Sequence, residues 1–226
     1  APLVSGSFSL RGLRLDDVIL TGYKESLDDD SGNIHFLQKT SSERPFFAEF
    51  GWSSSDDNQP MPTADSLWSA DRDILAPSSP VTLTWDNGQG LLFSRRISIN
   101  DNYLFTFEDT VASTVASDIT LYPYGFVRRH GTPATTGMYI LHEGPLGVFD
   151  ETLNEEDYGD LRDAGATGIK VIPETAGGWV GITDKYWLAA LLPTQTKGYN
   201  FSFQALAGNI DRYQVDFIDP NGMLLT

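Results

Sequence analysis

Val81, Leu83 and Trp85 alternate with Thr82 and Thr84, and after Asp86-Asn87-Gly88-Gln89-Gly90 the residues Leu91, Phe93, Ile97 and Ile99 restore an apolar face. A period of two places one set of side chains on one face of a strand, and the intervening residues tolerate the positive φ of a tight turn. The segment is therefore an antiparallel hairpin, which commits the chain to β-structure. The same pattern recurs. Asn100-Asp101-Asn102 supplies a turn, after which Tyr103, Phe105 and Phe107 oppose Leu104, Thr106 and Glu108. Ile119 to Val127, Gly137 to Leu141, Gly168 to Ile172, Tyr199 to Ala205 and Arg212 to Ile218 read as further short strands at the spacing of sandwiches. Gly177 to Pro193 (GGWVGITDKYWLAALLP) predicts another hairpin, bent at Thr183-Asp184-Lys185, with a deeply covered second strand from Trp187 to Leu192. Helix is limited to Asn154 to Asp163, a short helix or an acidic loop, because Gly159 weakens it by about 1 kcal/mol relative to Ala. The pattern yields an all-β, antiparallel sandwich with little helix.

At 226 residues, 40% apolar, with 13 Phe, 9 Tyr and 5 Trp, the chain fills a substantial core, and one domain spanning residues 1–226 is expected. The stretch from Ser53 to Pro62 reads as a surface loop, too short for an interdomain linker. There is no cysteine, which removes disulfides, thiolate metal sites and thiol nucleophiles together. The longest apolar run has strand length, and no run approaches the roughly 20 residues of a spanning helix. Ala1-Pro2-Leu3 lacks a charged n-region and an apolar h-region, so the sequence reads as a mature or excised piece. A net charge of −16 argues against nucleic acid and against adhesion to anionic lipid through charge.

Sites of chemistry are sparse. Leu27-Asp28-Asp29-Asp30-Ser31-Gly32-Asn33 has the spaced carboxylates of a calcium loop but no closing Glu, so it reads as an acidic hairpin tip, and no metal is expected. Phosphate loops and nucleophile elbows are absent, Gly177-Gly178 precedes a strand instead of a helix, and no cofactor is expected. Tyr122, Tyr124 and Phe126 alternate with Pro123 and Gly125 on a strand that continues to Arg128, Arg129 and His130. Tyr122, Tyr124, Arg128 and His130 are thus candidates for a sugar- or peptide-binding groove, the alternative being that alternate rings are core.

Several segments resemble, in order, the large periplasmic domain of YidC-type membrane protein insertases. They are Ser9 to Glu25 (SLRGLRLDDVILTGYKE), Phe47 to Trp52 (FAEFGW), Val81 to Gly90, Tyr139 to Gly147 (YILHEGPLG) and the Gly177 to Pro193 hairpin. The likeness spans about residues 5 to 205 and weakens beyond Phe203. It implies a super-β-sandwich related to galactose mutarotases. It implies further a place in the periplasm as part of an inner-membrane protein, with the linker helix and transmembrane core lying beyond the residues given. Insertion itself, in that family, depends on the transmembrane core. The resemblance therefore implies a non-catalytic role for this chain: scaffolding, contact with Sec translocon accessory proteins, or binding of nascent membrane proteins. No cofactor follows from it.

The mutarotase kinship raises an enzymatic alternative, since such enzymes use a His acid and a Glu base. Of His35, His130 and His142, His130 follows two arginines, and His142 and Glu143, as strand neighbours, point to opposite faces. No pair shares one cleft, so no enzyme activity is expected. A carbohydrate-binding sandwich and a purely structural spacer remain as alternatives. For a basic partner such as a Sec accessory domain, the sequence offers Phe149 to Asp163, where seven carboxylates face a single Arg162. Leu153, Glu155, Glu156, Tyr158 and Leu161 are the candidate contacts there, with Tyr158 as the apolar anchor.

Overall fold

The computed structural model describes the chain except residues 29, 116–117, 134–140, 164–168 and 207. It is all-β and antiparallel, and its residues divide into two compact units, 1–38 with 51–121 and 223–226, and 39–50 with 122–222. The strand expected at Gly137 to Leu141 lies almost wholly outside the described residues, as does Asp29 of the acidic tip.

In the first unit β1 (Val4–Phe8) pairs with β2 (Leu15–Lys24), which pairs in turn with β3 (Asn33–Leu37) across the acidic hairpin. β4 (Phe46–Ser54) and a later strand each contribute part of their length here. The four-stranded sheet of this unit holds β5 (Ser69–Ala70), β6 (Val81–Asp86), β7 (Leu91–Ile99) and β8 (Phe105–Ser113) in sequence order. The predicted hairpin is β6–β7, with Val81 opposite Ile97 and Asp86 opposite Leu92. Its apolar face packs with Trp52, Trp68, Ile119 and Leu121, so sheet stacks on sheet as the alternation demands. One core position on β7 is not apolar. Arg95 is 0% exposed, donates two bonds to Asp109 (2.7 and 2.8 Å) and lies 4.8 Å from the Trp52 ring centroid.

The second unit is built on β9 (Ile119–His130), whose first residues belong to the other unit. A smaller sheet follows from β10 (Gly144–Phe149) and β11 (Thr152–Glu155), joined by Asp150 and Glu151 at φ +47° and +62°. After α1 (Tyr158–Asp163), the one helix among the described residues, come β12 (Ile169–Ala176), β13 (Trp179–Thr183) and β14 (Leu188–Leu191). β15 (Gly198–Leu206) and β16 (Arg212–Ile218) complete the larger layer in the order β9-β16-β15-β12, while the smaller sheet runs β11-β10-β13-β14. Phe149 of β10 meets Phe201 and Phe203 of β15 at 4.8 and 5.9 Å, which seats the two layers on each other.

The Gly177 to Pro193 hairpin forms as β13–β14, but its second strand is not deeply covered. β14 is the edge of its sheet; Ala189 and Leu191 turn inward while Leu188 is 44% and the following Leu192 63% exposed. The inner strand is β13, with Val180 and Ile182 at 0 and 1% exposure. An apolar run reports the sum of its two faces, and an edge strand has only one covered face. After a turn in which Asp219 accepts from the amides of Asn221 and Gly222, the tail residues form β17 (Met223–Leu225), paired with Ile119 to Leu121.

Candidate functional site

The even-numbered residues of β9 share one face, turned away from the smaller sheet, and the antiparallel register places Arg212 beside His130, Gln214 beside Arg128 and Asp216 beside Phe126. On β15, Ser202 stands opposite Asp216 and Gln204 opposite Gln214. The four groove candidates, Tyr122, Tyr124, Arg128 and His130, therefore lie on a common face. Tyr124 and Phe126 stack nearly parallel, 10° apart with centroids at 6.3 Å, and the Arg128 guanidinium sits 4.6 Å from the Phe126 centroid. Phe47 of β4 meets Phe126 edge-on at 6.2 Å and reaches the His130 ring at 6.1 Å. Phe47 and Phe126 are 3 and 8% exposed and so belong to the core, which leaves the half-buried Tyr124 ring and the Arg128 guanidinium as the parts of this aromatic strip that reach solvent.

Beside the strip runs a closed polar ladder. Arg128 donates from Nε to Gln214 Oε1 (2.8 Å), and Gln214 Nε2 donates to Asp216 Oδ2 (2.7 Å). Gln204 Nε2 donates to the same oxygen (2.7 Å), and Ser202 Oγ donates to Asp216 Oδ1 (2.7 Å). Ser202 and Gln214 are 7 and 8% exposed, so these bonds form away from bulk water, where an unmatched polar group is costly. Burial raises the Asp216 pKa, opposed by the amide and hydroxyl donors. Burial, followed by the charges of Arg128 and Arg212, holds the His130 imidazole below its ordinary range. Ser202, Gln204, Gln214 and Asp216 were not singled out from the sequence. The signal present was polar residues recurring every second position within otherwise apolar strands, Ser202-x-Gln204 and Gln214-x-Asp216.

The opposite face of β9 carries Arg129, which forms a two-pronged ion pair with Asp184, donates to the Tyr158 hydroxyl (3.2 Å) and covers the Phe46 ring at 4.2 Å. Tyr158 in turn packs on Tyr213 at 4.5 Å, and burial drives its hydroxyl pKa up to about 12.

The acidic contact segment is thereby corrected in part. Tyr158 and Leu161 are 4 and 2% exposed and turn into the core, because the two apolar positions of so short a helix share the one side that packs against the sheet. Glu156 binds Lys170, and Glu155 and Leu153 remain exposed. Tyr158 is thus a structural anchor and is not available as a surface hot spot. His142 stands apart from the β9 face, with Nε2 3.0 Å from the Pro145 carbonyl oxygen and Nδ1 3.8 Å from Asp157.

The sequence model of the YidC periplasmic domain matches residues 1–224. The chain belongs to the YidC periplasmic domain family. Among relatives, the membrane protein insertase YidC of Methylorubrum extorquens is 46% identical over 212 residues, covering 89% of this chain and 34% of the relative. Those of Granulibacter bethesdensis and Rickettsia akari are 40 and 39% identical over 98 and 96% of this chain, and 39 and 38% of theirs. The chain spans about a third of the length of the curated relatives it matches. No helix among the described residues is long and apolar enough to cross a membrane.

Proposed function

We propose that this YidC periplasmic domain serves membrane protein insertion without catalysis, as the periplasmic part of an inner-membrane insertase that offers surfaces to nascent membrane proteins and to Sec accessory proteins. The match of the family model over residues 1–224 carries this reading. The side-chain geometry supports the absence of catalysis. Burial, with the charges of Arg128 and Arg212 added to it, disfavours the charged form of His130, and His142 lies with Nε2 3.0 Å from the Pro145 carbonyl oxygen. Replacing residues 5–220 of the full-length protein by an unrelated sandwich of similar size tests the proposal. Reduced insertion of Sec-dependent substrates, with the protein at normal abundance, is the expected result; undiminished insertion reduces the domain to a spacer.

The half-buried Tyr124 ring beside the Gln204–Gln214–Asp216 ladder favours a second reading, in which this face binds a carbohydrate ring through stacking on Tyr124 and paired hydrogen bonds. A sugar-dependent rise in Tm that disappears in Tyr124→Ala supports it, and no shift across a panel of glycans removes it.

A further inference from the structure

The geometry points to β14 as an acceptor edge for an extended, apolar polypeptide strand lacking acidic side chains. The edges of the second unit differ sharply. β12 carries Lys170, Pro173 and Glu174 and a register shift between Ile172 and Thr175, and β11, equal to β14 in length, ends in the charged Glu155. Charges, prolines and irregularities are devices by which sheets prevent unplanned pairing. β14 reads Leu188-Ala189-Ala190-Leu191, continues into Leu192, and holds no charge or proline before Pro193.

The register shows which backbone groups that edge presents. Asp184 N donates to Trp187 O, and in an antiparallel ladder bonded pairs alternate with unbonded ones. With Ile182 opposite Ala189 and Val180 opposite Leu191, residues 187, 189 and 191 bond inward to β13. The amide and carbonyl of Leu188 and Ala190 consequently point away from β13, and among the described residues no strand pairs with that side. Around these groups Tyr186, Leu188 and Leu192 are 71, 44 and 63% exposed, forming an apolar border for an added strand.

Charge selects the occupant. The chain carries −16, which opposes a second copy and any acidic strand. Asp184, the carboxylate at the hairpin bend, is neutralised by Arg129, and Lys185 lies over the Tyr186 ring at 4.8 Å. Lys185 keeps its charge at the bend, so an apolar strand whose basic residues lie clear of that bend meets an apolar edge locally and an attractive field at long range. This assignment deepens the proposed role, since it names where a nascent segment would dock, but strand acceptance is measured on the chain alone and so stands or falls separately from the insertion assay.

The test uses a short synthetic peptide of alternating Val and Thr flanked by lysines, and the same peptide flanked by glutamates. The lysine peptide should bind, more weakly as salt rises, and slow amide exchange at Leu188 and Ala190; the glutamate peptide should bind at least about tenfold more weakly. Ala190→Pro removes an outward amide without removing a bond to β13, and should weaken binding by about tenfold while the thermal transition stays cooperative. If that variant fails to fold, Leu188→Lys, which places a charge on the edge, takes its place. Val171→Lys on β12, the edge of the larger sheet, should leave binding unchanged. Equal binding by Ala190→Pro or Leu188→Lys, protection at amides other than these, or absence of binding overturns the assignment. Self-association of the wild type that Ala190→Pro abolishes also overturns it, in favour of a second copy as occupant.

Discussion

The two faces of β9, β16 and β15 solve the exclusion of water in opposite ways. On the inner face Val127, Phe201, Phe203, Tyr213 and Val215 are all at most 1% exposed and gain their stability from apolar burial and dispersion. One residue along each strand, on the outer face, Arg128, Ser202, Gln204, Gln214 and Asp216 close a hydrogen-bond ladder in which Ser202 and Gln214 are nearly as inaccessible. The inner face tolerates loss of polarity and punishes loss of volume. On the outer face the sensitivity is to loss of a bonding partner, because each member satisfies another. A face held by directional bonds is also one on which a ligand with matching groups can exchange for internal partners, which an apolar core does not permit.

Truncation on the inner face should produce the largest effect. Phe203→Ala should destabilise the chain by about 3–5 kcal/mol, while Ser202→Ala, its neighbour facing the other way, should cost about 1 kcal/mol, both read from urea unfolding midpoints. Equal costs would erase the distinction between the faces. Arg129 is the polar intruder on the inner side, and Arg129→Met should cost about 2 kcal/mol by leaving Asp184, which is partly exposed, without its cation. Asp184→Asn in that background should restore part of the loss; if the two changes simply add, the pair is not an interacting unit.

Asp216 sharpens the comparison through pH. Its pKa in the folded chain is raised above the usual 3.8, so between these two values the folded state holds more protons than the unfolded one. Its contribution to stability is therefore fully present below the unfolded pKa and is lost as pH rises through the folded pKa. Asp216→Asn should lack this slope and gain on the wild type as pH increases from about 4 toward neutrality. A carboxyl carbon resonance for Asp216 that titrates at or below the ordinary aspartate value would refute the premise. The smallest expected effect lies outside both faces, at the β10–β11 turn. Glu151 holds φ +62° there, and Glu151→Gly should stabilise by about 0.5–1 kcal/mol in a thermal scan; an unchanged or lowered midpoint would show that the added freedom of the unfolded chain outweighs the strain at the turn.

The alternating segments transferred to the structure with little change: β6–β7 forms at the predicted turn, and β16 spans Arg212 to Ile218 as read. Tyr122, Tyr124, Arg128 and His130 were legible as a common face because period two fixes sidedness without knowledge of neighbours. What completes that face, Ser202, Gln204, Gln214 and Asp216, was not legible, since which strand lies beside which is a long-range choice. Tyr158 and Leu161 show the same limit, as an exposed acidic segment and a helix with one buried side have similar composition.

The order of residues by itself determined that the chain is built of antiparallel strands, where most of them turn, which side chains share a face, and, through motifs spread along its length, the family to which it belongs. Tertiary structure decided that β14 is an edge and β13 an interior strand, that Arg95 is accommodated among Trp52, Trp68 and Asp109, and that Arg129 locks Asp184 and Tyr158 together. The reason is one of range. Sidedness and turns arise from dihedral and packing preferences of neighbouring residues, whereas burial and pairing of a charge depend on partners brought close only when distant strands meet, as Arg129 and Asp184 do across 55 residues.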